Sequence, residues 1–472
     1  MNFQSLHFLV YLAAIVAGCG LLWRNFGARK NLLLAASYYF YMCWDWRFAS
    51  LLLGITLLNY AAAAGIARAQ GREGLRRAWL GLALAAGVGV LAYFKYANFF
   101  LQSFVDLGSA FGFRADPVLL KLALPIGISF FTFQGLSYVI DVYRRQLEPT
   151  RDLRDFALFI SFFPTVLAGP ITRGSQLLPQ LAQQQTVPGS EVEQGLGLLV
   201  RGFVKKIIFA DVLAAQLVDP AFANPGQHST LYLLLAVYAY SFQIYMDVSG
   251  YTDIARGSAL LCGFRLPQNF NQPYLATSVS NFWQRWHISM SSFFRDYVFI
   301  SLGGSRYGYV YLNLMLTFLA IGLWHGGGWN FLLYGACHGT VVCIERGLRK
   351  RRERAGLPAR TEAWDRLLRI FWVFNFVAFT RILFRSPDIA SAGQYVAAMF
   401  SGFSLTDEYS LLALSALALA MLLEWGRRPA RMPSLQQLRS VPAPLQAGFL
   451  VLVIYLTMAF SSTRAPFVYF MF

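Results

Sequence analysis

Charge is what this sequence has least of. Asp, Glu, Lys and Arg make up 13% of its 472 residues, where a soluble domain carries about 25%, and this excludes an ordinary soluble globular class. Cysteine is scarce as well: there are five, Cys19, Cys43, Cys262, Cys337 and Cys343, with no CxxC pair. Four lie in or beside apolar runs, which reads as packing and argues against a disulfide framework or a zinc ribbon. Met1–Phe8 contains no Lys or Arg, so the charged n-region of a signal peptide is missing. The run Val16-Ala17-Gly18-Cys19, which resembles a lipoprotein cleavage box, is therefore read as part of a retained helix. No soluble domain is evident at either end. No internal repeat appears, which counts against a two-halved transporter.

What the chain has in quantity is hydrophobic residues, 57% of the total, gathered in runs long enough to cross a bilayer. These runs are Leu6–Trp23, Asn31–Trp44, Phe48–Ile66, Trp79–Phe94, Leu119–Val142, Leu231–Met246, Tyr309–Leu323, Phe331–Ile344, Leu367–Leu383, Tyr409–Leu423 and Leu445–Phe460. Phe156–Ile171 is shorter, is broken by Pro164 and Pro170, and is expected to dip in and return. The pattern predicts an all-α polytopic membrane protein, one membrane-embedded domain over 1–472 with about 10–12 transmembrane helices plus interfacial and re-entrant ones.

The net charge of +17 raises nucleic acid as a partner, but the basic residues are in the wrong places. They cluster between the apolar runs, at Arg24/Arg29/Lys30, Arg68/Arg72/Arg76/Arg77, Arg144/Arg145/Arg151/Arg154, Lys350/Arg351/Arg352/Arg354 and Arg427/Arg428/Arg431. Positive loops stay in the cytoplasm, which predicts an inner (cytoplasmic) membrane protein with both termini outside. No soluble basic face is left to bind nucleic acid.

Two stretches alternate charge with apolar and aromatic residues, Glu191–Val212 and Asn281–Phe299. Each is expected to be an amphipathic helix at the membrane interface. Thr172–Gly189, Lys350–Asp365 and Ser386–Glu408 read as the long loops.

Polar residues concentrate between Ser241 and Arg306, and again in Leu323-Trp324-His325-Gly326-Gly327-Gly328-Trp329-Asn330. A buried ionisable residue in a membrane is a functional candidate, and histidine is the side chain best matched to proton transfer near neutral pH. From the residues alone, His325 is either a base or a histidine hydrogen-bonded between helices. Asp253 and Arg256, at the end of a span, are either a three-residue-spaced helix bridge or part of a polar cavity. His338, thirteen residues past His325, would face nearly the opposite way on an unbroken helix and reads as structural. His7 and His228 read as interface residues.

Several segments together resemble the membrane-bound O-acyltransferase family, in the branch that acylates cell-envelope polymers such as alginate. They are Leu124–Gln134, Tyr138–Tyr143, Phe163-Pro164 with Ala168–Arg173, Met246–Gly257, Gly263–Tyr274, Trp286-His287-Ile288-Ser289, Leu323–Asn330 and Pro466–Phe470. The resemblance implies a central tunnel, with His325 as the catalytic residue and His287 as its upstream polar partner. Trp324, Trp329, Asn330, Asp253, Arg256, Arg295, Asp296 and His338 are expected to line or support the tunnel. The donor would be acetyl-CoA or an acyl-carrier thioester from the cytoplasm, with no permanently bound cofactor and no metal. An aromatic C-terminal run places Tyr469 as a candidate acyl carrier; an aromatic anchor at the interface is the other reading of it. No Gly-Asp-Ser esterase-type motif is evident, so a periplasmic acetyltransferase of the SGNH type is the expected partner. A D-alanyl version of the same transfer, a transporter or export channel, and a catalytically idle scaffold are the alternatives.

Overall fold

Ser5 and Asn25 stand just ahead of the first two apolar runs. Each does what a helix start requires, since the first N–H groups of a helix have no intrahelical acceptor. Ser5 Oγ accepts from the Phe8 N–H at 3.1 Å and Asn25 Oδ1 from the Ala28 N–H at 3.0 Å. The structure, a computed structural model, describes residues 3, 5–112, 120, 122–184, 188–306, 308–357, 362–400, 402 and 407–426, and every regular element among them is helical. The chain divides into two compact units, Met1–Gly195 with Ala255–Pro267, and Leu196–Ile254 with Gln268–Phe472.

The first unit contains α1 (Leu6–Leu21), α2 (Phe26–Met42), α3 (Phe48–Arg68), α4 (Glu73–Leu91), α5 (Ala97–Ala110), α6 (Ile128–Tyr143), α7 (Leu153–Ser161) and α8 (Gly174–Ala182). A π-helical turn over Ala92–Tyr96 joins α4 to α5. Lys30 is buried here because Asp155 Oδ1 lies 2.6 Å from its Nζ, and the Leu181 carbonyl takes a second hydrogen bond. A paired and hydrogen-bonded ammonium tolerates burial; a lone one would not. The sequence expectation of a helix from Leu119 is corrected: α6 begins only at Ile128. Pro125 lies just upstream, and Gly127 takes φ +76° in a space where a Cβ would stand 2.2 Å from the Val166 carbonyl oxygen. Phe156–Ile171 behaves as its prolines imply. Helix α7 stops at Ser161, and the irregular backbone beyond it is buried in protein. Its freed groups find partners there, as the Phe163 N–H does on Ser37 Oγ at 3.1 Å. Non-helical backbone is tolerated in a membrane protein under that condition. The expected loop Thr172–Gly189 is corrected too, since it holds α8.

Helix α9 (Gly189–Phe203), most of which belongs to the second unit, runs on into a π-helical segment, Val204–Asp211. This covers the amphipathic stretch that the charge pattern marked. There follow α10 (Asp219–Ala223), α11 (Thr230–Leu261), α12 (Val279–Trp283), α13 (Ile288–Phe293), α14 (Val310–His325), α15 (Trp329–Arg354), α16 (Ala363–Arg385), α17 (Ile389–Ala398) and α18 (Leu411–Trp425). Asn281–Phe299 is not the single helix expected. Turns break it between α12 and α13, and its end is π-helical. The expected loops Lys350–Asp365 and Ser386–Glu408 also shrink, because α15 extends to Arg354 and α17 occupies part of the second.

By length and apolarity, four helical stretches among the described residues suffice to cross a membrane: α3, the continuous Glu73–Ala110, α11 and α16. Helices α1, α14 and α18 are shorter apolar helices. The remaining expected spans coincide with α2, α6 and α15, whose polar residues lower their mean hydropathy. Leu445–Phe460 and Pro466–Phe470 lie outside the described residues.

Candidate active site

Helices α14 and α15 form a hairpin that glycine lets close. A Cβ on Gly322 would stand 2.3 Å from the Phe331 carbonyl oxygen, and one on Gly335 would stand 2.4 Å from that of Phe318. Backbone packed on backbone is the small-residue mode of helix contact in membranes. The reversal over Gly326–Gly328 leaves His325 as the last residue of α14 and Asn330 in the first turn of α15. The unbroken helix assumed for His325 and His338 is therefore absent. The two rings border the same Tyr334, with centroids at 6.0 Å and 4.5 Å.

His325 is 2% exposed. Its ring lies 4.8 Å from Trp324 and 4.9 Å from Phe384, edge-on to each. His287, also buried, packs on the same indole, 5.7 Å from the Trp324 ring at 88°. The structure thus brings both histidines that the sequence singled out into contact with Trp324. Tyr334 also borders the His325 ring, and Phe270 borders the His287 ring at 6.1 Å. For His287, which lies in the connection between the short helices α12 and α13, burial pushes the imidazole down to about 3.

His287 is held in an unusual backbone conformation, φ 43° and ψ 54°. For a residue with a Cβ the left-handed region costs about 1–2 kcal/mol, and such strain persists only where surrounding structure imposes it. Asn269 supplies one side of that constraint. Its carbonyl accepts from the Ile288 N–H at 2.9 Å, and its Oδ1 accepts from both the N–H and the hydroxyl of Ser289 at 2.9 Å.

The remaining predicted residues separate. Asn330, buried, donates through Nδ2 to the carbonyls of Leu383 (3.1 Å) and Ser386 (2.8 Å), tying the start of α15 to the end of α16. The Trp283 indole N–H donates to His338 Nδ1 at 3.2 Å, and His338 Nε2 lies 3.1 Å from Thr380 Oγ1. The Thr380 hydroxyl gives its own hydrogen to Val377, so Nε2 carries the proton and His338 is a neutral tautomer with both nitrogens engaged. Trp329 is 58% exposed. Arg295 and Asp296 pair with each other at 2.7 Å near the surface. The three-residue bridge between Asp253 and Arg256 is not what the carboxylate makes. Asp253 accepts from Arg201 (2.6 and 2.8 Å) and Lys205 (2.8 Å), while Arg256 Nε donates to the Leu266 carbonyl at 3.4 Å. Tyr469 lies outside the described residues. Among those described, no three His, Cys, Asp or Glu side chains come together as a metal cage.

Sequence reasoning missed Arg381, Tyr274 and Phe384. A cation inside the apolar run Leu367–Leu383 was the available signal for the first. The other two are aromatics in an aromatic-rich chain and carried none.

Comparison with known proteins fits this geometry. The model of MBOAT, the membrane-bound O-acyltransferase family, matches residues 144–385, which contain both histidines. The chain is 40% identical over 402 residues to the "Probable alginate O-acetylase AlgI" of Azotobacter vinelandii, covering 84% of this chain and 77% of that one. It is 35% identical over 393 residues to the peptidoglycan O-acetyltransferase of Helicobacter pylori, covering 77% and 72%. It is 28% identical over 337 residues to the teichoic acid D-alanyltransferase of Streptococcus thermophilus, covering 63% and 79%. This chain is an integral membrane O-acyltransferase and belongs to the membrane-bound O-acyltransferase family.

Proposed function

We propose that this enzyme takes an acetyl group from a cytoplasmic thioester, acetyl-CoA, and delivers it outside the membrane for O-acetylation of an exopolysaccharide of the alginate kind, with His325 as the general base. The observation that carries the reading is the packing of both His287 and His325 on Trp324. Transfer to a hydroxyl requires a base for its proton and a donor for the charge that develops on the carbonyl oxygen. A neutral His325 takes the proton as the new C–O bond forms. The C–S bond breaks, and the thiolate leaves and recovers a proton from the imidazolium. His287, neutral across the working pH range, presents one N–H for the oxyanion.

The relatives support acetyl as the group moved. Those between 35% and 42% identical are named for alginate or peptidoglycan O-acetylation. A second reading, D-alanyl transfer from a carrier protein, draws on the teichoic acid D-alanyltransferases at 28% and 29%. In the leading reading the chain lies in the inner membrane with both termini outside, and a tunnel brings donor and acceptor to His325 from opposite faces. Tyr469 receives the acetyl group first, because an aryl ester is an activated acyl donor. A periplasmic acetyltransferase of the SGNH type then completes transfer to the polymer.

The test is purified protein in liposomes given acetyl-labelled acetyl-CoA. Label on the chain, lost in Tyr469→Phe and His325→Ala, is the expected result. Transfer that persists in a well-folded His325→Ala protein ends the base reading, and label that only crosses the bilayer supports transport instead.

A further inference from the structure

Arg381 is a guanidinium set in the apolar helix α16 and 2% exposed. A buried cation there is expensive unless something offsets it. Among the described residues no carboxylate pairs with it. Nη1 donates to the Ser241 carbonyl at 2.9 Å and to the Tyr274 hydroxyl. The Tyr274 hydroxyl donates to the same Ser241 carbonyl. The central carbon of the guanidinium lies over the Trp286 ring, 4.4 Å from its centroid. Cation–π attraction strengthens when the cation is desolvated, and of the two rings it meets Trp286 is the nearer, with Tyr274 at 5.4 Å.

Trp286 is the residue immediately before His287. On its far side the strained backbone of His287 is fixed by Asn269. On its near side Trp286 is wedged among Phe282 (5.4 Å, stacked), Phe270 (5.1 Å, edge-on) and Arg381. The Trp286 backbone is held as well, its N–H donating to the Phe282 carbonyl at 2.8 Å and its carbonyl accepting from the Ser291 hydroxyl at 3.0 Å. The indole adds a side-chain anchor to this flank of His287.

We propose that Arg381 is a positioning residue for acyl transfer. By clamping Trp286 it helps impose the left-handed conformation that sets His287 on Trp324, the indole that His325 also meets. The inference rests on the reading that these two histidines form the transfer site. Lysine does not replace arginine here, because a compact, strongly hydrated ammonium lacks the broad delocalised cation that meets the indole while hydrogen-bonding Ser241 and Tyr274.

The test uses the full-length protein in liposomes and follows single-turnover transfer of label from acetyl-CoA; a D-alanyl carrier-protein thioester replaces it should the wild type ignore acetyl-CoA. Arg381→Met, Arg381→Lys and Trp286→Phe are compared after gel filtration and melting establish that each is folded. The maximal rate is expected to fall about 30-fold in Arg381→Met and about 10-fold in Arg381→Lys, on the scale at which misplacement of a catalytic group slows chemistry. The half-saturating donor concentration stays within about two-fold of wild type, since substrate binding is not what is lost. The Arg381→Met, Trp286→Phe double variant is expected to be no slower than the worse single one. A maximal rate within two-fold of wild type in Arg381→Met, a loss confined to the half-saturating concentration, or rate losses that multiply in the double variant would each overturn the proposal. If Arg381→Met does not fold, Arg381→Lys and Trp286→Phe carry the same comparison. An active His325→Ala refutes the transfer-site reading itself; an inactive His325→Ala beside an unimpaired Arg381→Met refutes only the role of Arg381.

Discussion

The imidazole of His287 meets the indole of Trp324 edge-on, at 5.7 Å between ring centroids and 88° between planes. Trp324 also abuts His325 at 4.8 Å and Phe294 at 6.4 Å. Both histidines are therefore registered on this side chain. Trp324→Ala empties that space, and large-to-small changes of a buried aromatic cost about 3–5 kcal/mol. A melting point well below wild type and loss of transfer are expected together. Trp324→Phe separates the two effects: it keeps most of the packing at a cost of about 1–2 kcal/mol, yet reduces the ring surface on which both imidazoles rest. Transfer is expected to fall more than 10-fold while melting shifts only slightly. Full activity in a folded Trp324→Phe protein would show that the indole does not position the histidines.

Burial of His287 gives stability a pH dependence whose sign follows from linkage. Its imidazole is pushed down to about 3 in the folded protein, while an unfolded histidine titrates near about 6.5. Between those values the unfolded chain binds the extra proton, so stability falls as pH drops from about 6.5 towards about 3 and is constant above that window with respect to this group. The measurement is the melting temperature in detergent from about pH 4.5 to about pH 8. His287→Gln, which cannot protonate, is expected to lose part of the acid-side slope. A slope identical in wild type and variant would show that His287 is already solvated.

The sequence made the helical, membrane-embedded character legible because hydrophobic runs are long and local. His325 stood out because an imidazole between Trp324 and Gly326 in apolar surroundings is chemically conspicuous, whereas His287 was singled out by the family resemblance and not by its neighbours. What the sequence could not show depends on pairing between distant segments. Asp253 looked like a partner for Arg256 because three-residue spacing on one helix is visible in a string. Its partners Arg201 and Lys205 lie about fifty positions upstream. Asn281–Phe299 looked continuous because its aromatics recur at helical spacing, yet Asn269 captures the N–H groups of Ile288 and Ser289 and breaks it. Glu345 captures the Val279 and Ser280 N–H groups at the start of α12 from within α15. No local pattern announces either capture.

Asn330 is the tie between the histidine hairpin and α16. Its Nδ2 serves two carbonyls that terminate α16, where the last carbonyls of a helix have no intrahelical donor. Asn330→Ala leaves both without that donor, at about 1–3 kcal/mol for a buried unsatisfied group. Asn330→Asp is expected to be worse despite its shape, since a carboxylate facing two carbonyl oxygens repels where the amide donated. Thermal melting of the two variants checks the order. An aspartate variant more stable than the alanine one would mean that the carboxyl is protonated there or that the carbonyls have found other donors.

The hairpin itself rests on glycines that can be tested against a glycine elsewhere. A methyl on Gly322 would be forced to 2.3 Å from the Phe331 carbonyl oxygen, with the Gly335 Cα 3.2 Å away. Both obstacles are backbone, so relief requires α14 and α15 to separate, and the separation moves His325 relative to Phe384 and Tyr334. Overpacking of this kind costs about 1–3 kcal/mol. Gly81, inside α4, has nothing within 4 Å of where a Cβ would sit, and an alanine there gains helix propensity of about 0.5–1 kcal/mol. One substitution, Gly→Ala, is thus expected to lower the melting temperature and cut transfer at position 322, and to leave activity unchanged while holding or raising the melting temperature at position 81. The activity loss at 322 comes from displacement of His325 and not from general instability, so it should persist at temperatures far below the melting point. Recovery of full activity on cooling would detach the hairpin spacing from catalysis.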